Sequence, residues 1–164
     1  MTKLTHFLAI PMAVFFFSTA CSKDTNATTN NPTVTTTTTN NLTKPALSVK
    51  LEGLRNTDGT IQLLVFDKAD GFPDVPANAV YSISVPATTT TINIPSLAYG
   101  TYAVTILHDE NNNQKMDKNI LGIPKEGYGF SRNATGFAGP PAFDKASITY
   151  SEQDYSTIIT LKYW

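Results

Sequence analysis

From residue 47 onward, large apolar residues recur at every second position in short runs, and no ten-residue stretch carries the 3.6-residue period of an amphipathic helix. Leu47, Val49 and Leu51 alternate with Ser48 and Lys50 before Gly53. After Asp58-Gly59, Ile61 to Phe66 is more continuously apolar and reads as a central strand. Tyr81, Ile83 and Val85 alternate with serines, Ile92 and Ile94 with Thr91 and Asn93, and Pro86 and Pro95 close these two runs. Tyr102 to Ile106, Ile148 with Tyr150, and Ile158 with Leu161 complete a set of about seven strands. A short helical turn is expected around Asp67 to Gly71, and the apolar end of the chain through Trp164 is expected to be paired. Several short strands separated by Gly, Pro and Asn turns predict an all-β, two-sheet antiparallel sandwich. One long loop, from Asp109 to about Lys145, interrupts it.

Composition divides the chain before residue 45. Lys3 precedes an apolar run from Phe7 to Phe17, too short to span a bilayer and built like an export signal. It ends in Ser18-Thr19-Ala20-Cys21, which resembles the lipobox of bacterial lipoproteins, with Ser18 where a large aliphatic is usual. Cys21 is the only cysteine and has no disulfide partner, so residues 1–21 are expected to be a lipoprotein signal and Cys21 the lipidated residue. Ser22 in place of aspartate resembles outer-membrane sorting. Residues 22–44 are almost all Thr and Asn and cannot bury a core, so they are expected to be a disordered tether reaching roughly 25–30 Å. Residues 45–164 form the folded domain, with nine Lys and Arg against twelve Asp and Glu, a net charge of −3. Neither a basic stripe nor interleaved aromatic and basic residues occurs, which argues against a nucleic-acid partner.

Four segments in order carry a family resemblance: Leu97 to Val104, His108-Asp109-Glu110-Asn111, Leu121 to Ser131, and Gly139-Pro140-Pro141-Ala142-Phe143. Together they resemble the bacterial domain-of-unknown-function family 2141. The resemblance implies an exported or lipid-anchored protein of Gram-negative bacteria, with no activity attached. The Gly100-Thr101-Tyr102 strand leading into an acidic loop is also similar to carboxypeptidase regulatory-like and prealbumin-like sandwich domains, which supports an Ig-like sandwich and says nothing of function.

The acidic loop is the one candidate site. Asp109, Asn111, Asn113, Lys115 and Asp117 fall at alternate positions, as do the ligands of an EF-hand-type calcium loop. Calcium takes six to eight oxygens, and Lys115 could supply its backbone carbonyl. Two positions depart from that pattern: Gln114 stands where a glycine makes the sharp turn, and Ile120 where a bidentate glutamate closes the shell. Glu126, or Asp144, is a later carboxylate that could replace it. The competing reading is that Asp and Asn are turn formers bonding to their own backbone. Loop length favours the ion, because structureless loops beyond roughly 15 residues are uncommon in compact domains. Tyr128, Phe130, Phe137 and Phe143 are expected to pack beside the loop.

Catalysis has less support. Asp109 and Glu126 could be the paired acids of a hydrolase acting on envelope polysaccharide, but their separation cannot be read from sequence. His108, the domain's only histidine, is expected to be half-buried at the sandwich rim. No nucleophile motif surrounds Ser131, and one histidine without a free cysteine argues against zinc. The sequence therefore points to a non-enzymatic module, lipid-anchored at the outer membrane, whose loop, ordered by Ca2+, offers a face to an envelope glycan or protein. Tyr128, Phe130 and Arg132 are the candidates for that face, with burial in the core the competing fate of Phe130. A structural accessory subunit of a membrane complex is the third reading.

Overall fold

The computed structural model describes residues 44–164; the expected signal, Cys21 and nearly all of the expected tether lie outside the described residues. Eight strands form two sheets. The first has the order β4-β1-β8, with β1 at Leu47–Glu52, β4 at Thr91–Ile94 and β8 at Ser156–Thr160. The second has the order β3-β2-β5-β6, with β3 at Tyr81–Pro86, β2 at Thr60–Phe66, β5 at Gly100–Asp109 and β6 at Gly127–Phe130. A short β7, Ile148–Tyr150, pairs with the start of β5. All pairings are antiparallel except β1 with β8, where nearly the whole domain separates the two strands in sequence. Among the described residues no helix is long and apolar enough to cross a membrane.

The alternation explains the core. Leu47, Val49 and Leu51 point inward from β1, and Ile61, Leu63 and Val65 from β2, all essentially without solvent contact. They meet Val104 and Ile106 of β5 and Ile159 of β8 in one cluster. Each such side chain contributes roughly 2 kcal/mol by leaving water. β2 is central, flanked by β3 and β5, as its continuous apolar run predicts. In β8 the inward residue is Ile159, with Leu161 buried just past the strand's end; Ile158, which the sequence groups with Leu161, is exposed, because Lys50↔Ile158 and Leu51↔Ile159 pairing with β1 fixes the phase.

The expected structureless stretch from 109 to 145 contains two elements besides the 3-10 turn at Ser131–Asn133. One is β6, hidden from sequence reading because two of its four residues are glycines of low strand propensity. The glycines are there for contact: a Cβ on Gly127 would lie 2.3 Å from the Tyr163 ring, and one on Gly129 2.5 Å from Ile159 Cγ2. Tyr128 and Lys162 also exchange two backbone hydrogen bonds, 3.0 and 2.8 Å, so the end of the chain ties the second sheet to β8 of the first. That is the pairing expected of the C-terminus, although Trp164 itself is exposed. The other element is a single helical turn, α1, at Phe143–Ala146. It covers a second small core on the outer face of the five-stranded sheet, where Phe72 packs against Phe66, Phe130 and Phe143 at 5.5, 6.0 and 5.9 Å between ring centres. Phe137, expected in that cluster, is fully exposed; Phe72 takes its place from the turn after β2. The helical turn expected at Asp67–Gly71 is a series of bends and turns, and one 3-10 turn follows at Pro76–Asn78.

Candidate functional site

Asp109 ends β5, and strand geometry turns it to the face opposite His108. Gln62, on the same outer face of neighbouring β2, donates from Nε2 to Asp109 Oδ2 at 2.8 Å. The chain then doubles back, bringing the N–H of Asn113 to Oδ1 at 3.1 Å and that of Gln114 to Oδ2 at 2.7 Å. Burying a carboxylate is costly unless its oxygens are bonded, and Asp109 has no solvent contact. Its three donors therefore hold the turn in place.

Every second side chain then bonds to the backbone two residues on. Asn111 Oδ1 accepts from Asn113 N–H at 3.0 Å, and Asn113 Oδ1 from Lys115 N–H at 2.8 Å. Asn111 Nδ2 donates to Asp117 Oδ2 at 2.7 Å. The bends between these positions place Asn112 and Gln114 in the left-handed region, with φ of 60° and 62°. The sharp turn at the calcium-loop glycine position is thus made by Gln114 without a glycine.

The later carboxylate is Glu126. Its Oε1 accepts from Glu110 N–H at 3.1 Å and its Oε2 from Asp117 N–H at 3.0 Å, so one side chain, almost fully buried, bonds both ends of the turn. Ile120 is fully exposed and Asp144 lies in α1; neither makes any of these bonds. The structure therefore brings together Asp109, Asn111, Asn113, Asp117 and Glu126, with Lys115 joined through its backbone.

Among the described residues no group of three or more His, Cys, Asp or Glu side chains converges as a ready-made metal cluster. An ion in this turn would draw on Asn and main-chain oxygens as much as on carboxylates, a donor set that suits calcium and excludes zinc. Each Glu126 oxygen accepts one N–H, as does Asp109 Oδ1, and each has a second lone pair. Those lone pairs are what an ion in this turn would draw on.

Behind the turn stands a polar cluster that local spacing did not reveal. His108 is completely buried, not half-buried as expected, with Nε2 donating to the Asp58 carbonyl at 2.8 Å and Nδ1 2.7 Å from the Tyr163 hydroxyl. Glu110 receives Arg55 through Nε at 2.7 Å and Nη2 at 2.5 Å, and Asn56 Nδ2 at 2.9 Å. The Arg55 hydrogen bonds hold the Glu110 carboxyl below its usual range, against the opposing effect of burial, and Glu110 in turn raises Arg55. Burial pushes the Tyr163 hydroxyl up. The Arg55 guanidinium also lies 4.6 Å from the Tyr163 ring centre and donates to the Lys125 carbonyl at 3.1 Å. Asp58 and Arg55 are 50 and 55 residues from their partners, so no motif could have shown the pairing.

Residues 49–158 match the family model described as an uncharacterized protein conserved in bacteria, DUF2141. The chain belongs to the DUF2141 family. Among curated proteins and among solved structures, nothing matches the chain. The DUF2141 match spans the acidic turn, Glu126 and β6, but stops short of Tyr163 and Trp164.

The three surface candidates do not form one face. Phe130, a surface candidate for which burial is the competing expectation, is buried in the second core, because β6 turns it toward Phe72. Arg132 is exposed on the 3-10 turn after β6, with a φ of 60°. Tyr128 is half-buried and accepts the Trp164 indole N–H at 2.7 Å. It borders a broad cleft of about 1190 Å³ on the outer face of the five-stranded sheet, between the 114–124 and 134–140 segments.

Proposed function

We propose that this DUF2141 protein is a non-enzymatic binding module of the bacterial cell envelope, lipid-anchored at Cys21 in the outer membrane, whose Asp109–Asp117 turn is ordered by calcium. The observation that carries this reading is the Glu126 carboxylate bonded to both ends of the turn, where a calcium loop needs a closing glutamate and where Ile120 supplies none. Asp109, Asn111, Asn113, Asp117 and Glu126 would offer side-chain oxygens and Lys115 its carbonyl. Calcium would offset the negative charge of this turn and fix the loop that borders the cleft. A glycan or an envelope protein is the partner for that face, in keeping with the Tyr128–Trp164 pair at its edge.

A hydrolase using Asp109 and Glu126 has weaker support. Asp109 has no solvent contact and Glu126 almost none, so neither faces a space that a polysaccharide chain could enter. The role of structural accessory subunit rests on the tether alone.

Thermal unfolding in EDTA and in millimolar calcium tests the reading. A ligand that binds only the folded state raises Tm by mass action, so a rise is expected with calcium, and Glu126→Gln is expected to abolish it. An unchanged Tm at millimolar calcium removes the ion from the account.

A further inference from the structure

The segment that follows the acidic turn is a short hairpin with an unusual tip. Lys118 and Pro124 face each other across it, Asn119 N–H donates to the Ile123 carbonyl at 2.9 Å, and Gly122 N–H returns to the Asn119 carbonyl at 2.9 Å. Asn119 Oδ1 accepts from Leu121 and Ile123 N–H at 2.9 and 3.0 Å, and Gly122 takes the left-handed φ of 76° that such a loop needs at its exit. The tip is therefore a built turn with a satisfied backbone. Its side chains are nonetheless apolar and in water: Ile120 is 101% exposed, Leu121 77% and Ile123 37%.

Exposed aliphatics held together on a hydrogen-bonded turn mark a contact surface. Charge says what the surface meets. Lys115, Lys118 and Lys125 flank the tip, all exposed, and Lys162 borders the same cleft as Leu121 and Ile123. Among the described residues none of these four lysines forms an ion pair. The one acid within the hairpin's flanks, Asp117, is turned to Asn111 instead. In a domain of net charge −3, Lys118 and Lys125 thus flank three exposed aliphatics, and Lys115 and Lys162 line the adjoining cleft with Asp74. Trp164, 77% exposed, and Phe137, fully exposed, lie on the two other segments that border this cleft.

We propose that the Asn119–Ile123 turn docks on a lipid bilayer with anionic headgroups, Ile120 and Leu121 entering the headgroup–acyl boundary while the lysines contact phosphates. Apolar tips with basic flanks bind such interfaces by burying side chains and by attraction worth about 1 kcal/mol per lysine near the surface. The contact orients the domain against the membrane. It depends neither on calcium nor on an anchor at Cys21.

The test uses the full chain carrying Leu121→Trp and Trp164→Phe, so that a single tryptophan reports on the tip. With vesicles of phosphatidylcholine and phosphatidylglycerol, its emission is expected to shift to the blue and to be quenched by brominated acyl chains. Phosphatidylcholine alone should give a much weaker response. Adding Lys118→Gln and Lys125→Gln is expected to weaken binding to the anionic vesicles roughly tenfold, and Ile120→Ser severalfold. A tip tryptophan that stays in water at saturating vesicle concentration overturns the proposal, even if other parts of the chain bind. A tip that responds to a soluble acidic polysaccharide and not to vesicles also overturns it, in favour of a glycan. Because the reporter sits on the tip, insertion of residues 1–43 cannot imitate the expected signal.

Discussion

Two turns lie side by side in the segment between β5 and β6, and they treat their side chains in opposite ways. In the Asp109–Asp117 turn the side-chain oxygens of Asp109, Asn111 and Asn113 fold back onto backbone N–H groups, and two buried carboxylates, Asp109 and Glu126, hold the result. In the Asn119–Ile123 turn a single amide, Asn119, satisfies the backbone, and the remaining side chains are apolar and in water. The first is organised from inside and is part of the domain's stability. The second contributes little to stability and is shaped for something outside the molecule.

The largest effect that separates them is expected from Asp109→Ala. It strands Gln62 Nε2 and the Gln114 N–H and takes one of two acceptors from the Asn113 N–H, and should cost about 3 kcal/mol in urea unfolding, whereas Ile120→Ser should change stability by less than about 0.5 kcal/mol. Equal losses would erase the distinction between the turns. Gly127→Ala should come next, at about 2 kcal/mol, because the new Cβ lands 2.3 Å from the Tyr163 ring, which must move away from His108. Its cost would show that the acidic turn leans on the far end of the chain, while the apolar turn does not.

A pH series sharpens the comparison. The Glu110 carboxyl is held below its unfolded value by Arg55, so its contribution is complete above the unfolded pKa and is lost as pH falls through the lower folded value. Between pH 5 and 3, stability should therefore drop more in the native protein than in Glu110→Gln, with an Arg55 contribution of about 1 kcal/mol, since the pair is partly exposed. The smallest change is expected from Gln114→Gly. Relief of a left-handed glutamine outweighs the extra chain entropy of glycine, for a gain of roughly 0.5 kcal/mol. A loss would mean that the Gln114 side chain makes a contribution of its own.

The strands were legible because period-two alternation reports directly on which face is buried. Leu47 to Leu51 and Ile61 to Phe66 fall where that pattern places them. β6 was not legible, because Gly127 and Gly129 are chosen by tertiary contact with Tyr163 and Ile159 and carry no local strand signal. In the acidic turn the alternate Asp and Asn residues marked the place. The partners that complete it, Gln62, Arg55 and Tyr163, come from 47 to 55 residues away and no spacing rule reaches them. Ile158 shows the reverse error: a two-residue pattern too short to fix its own phase, decided in the fold by pairing with β1.

Amide hydrogen exchange tests the central claim, that buried carboxylates build the acidic turn from inside, most directly. The N–H groups of Glu110, Asn113, Gln114 and Asp117 should exchange far more slowly than an unstructured chain, and more slowly than Leu121 and Ile123 on the exposed Asn119 amide. Glu126→Gln should selectively speed exchange at Glu110 and Asp117. Exchange at these four amides as fast as in an unstructured chain, or unchanged at Glu110 and Asp117 in Glu126→Gln, would contradict the account.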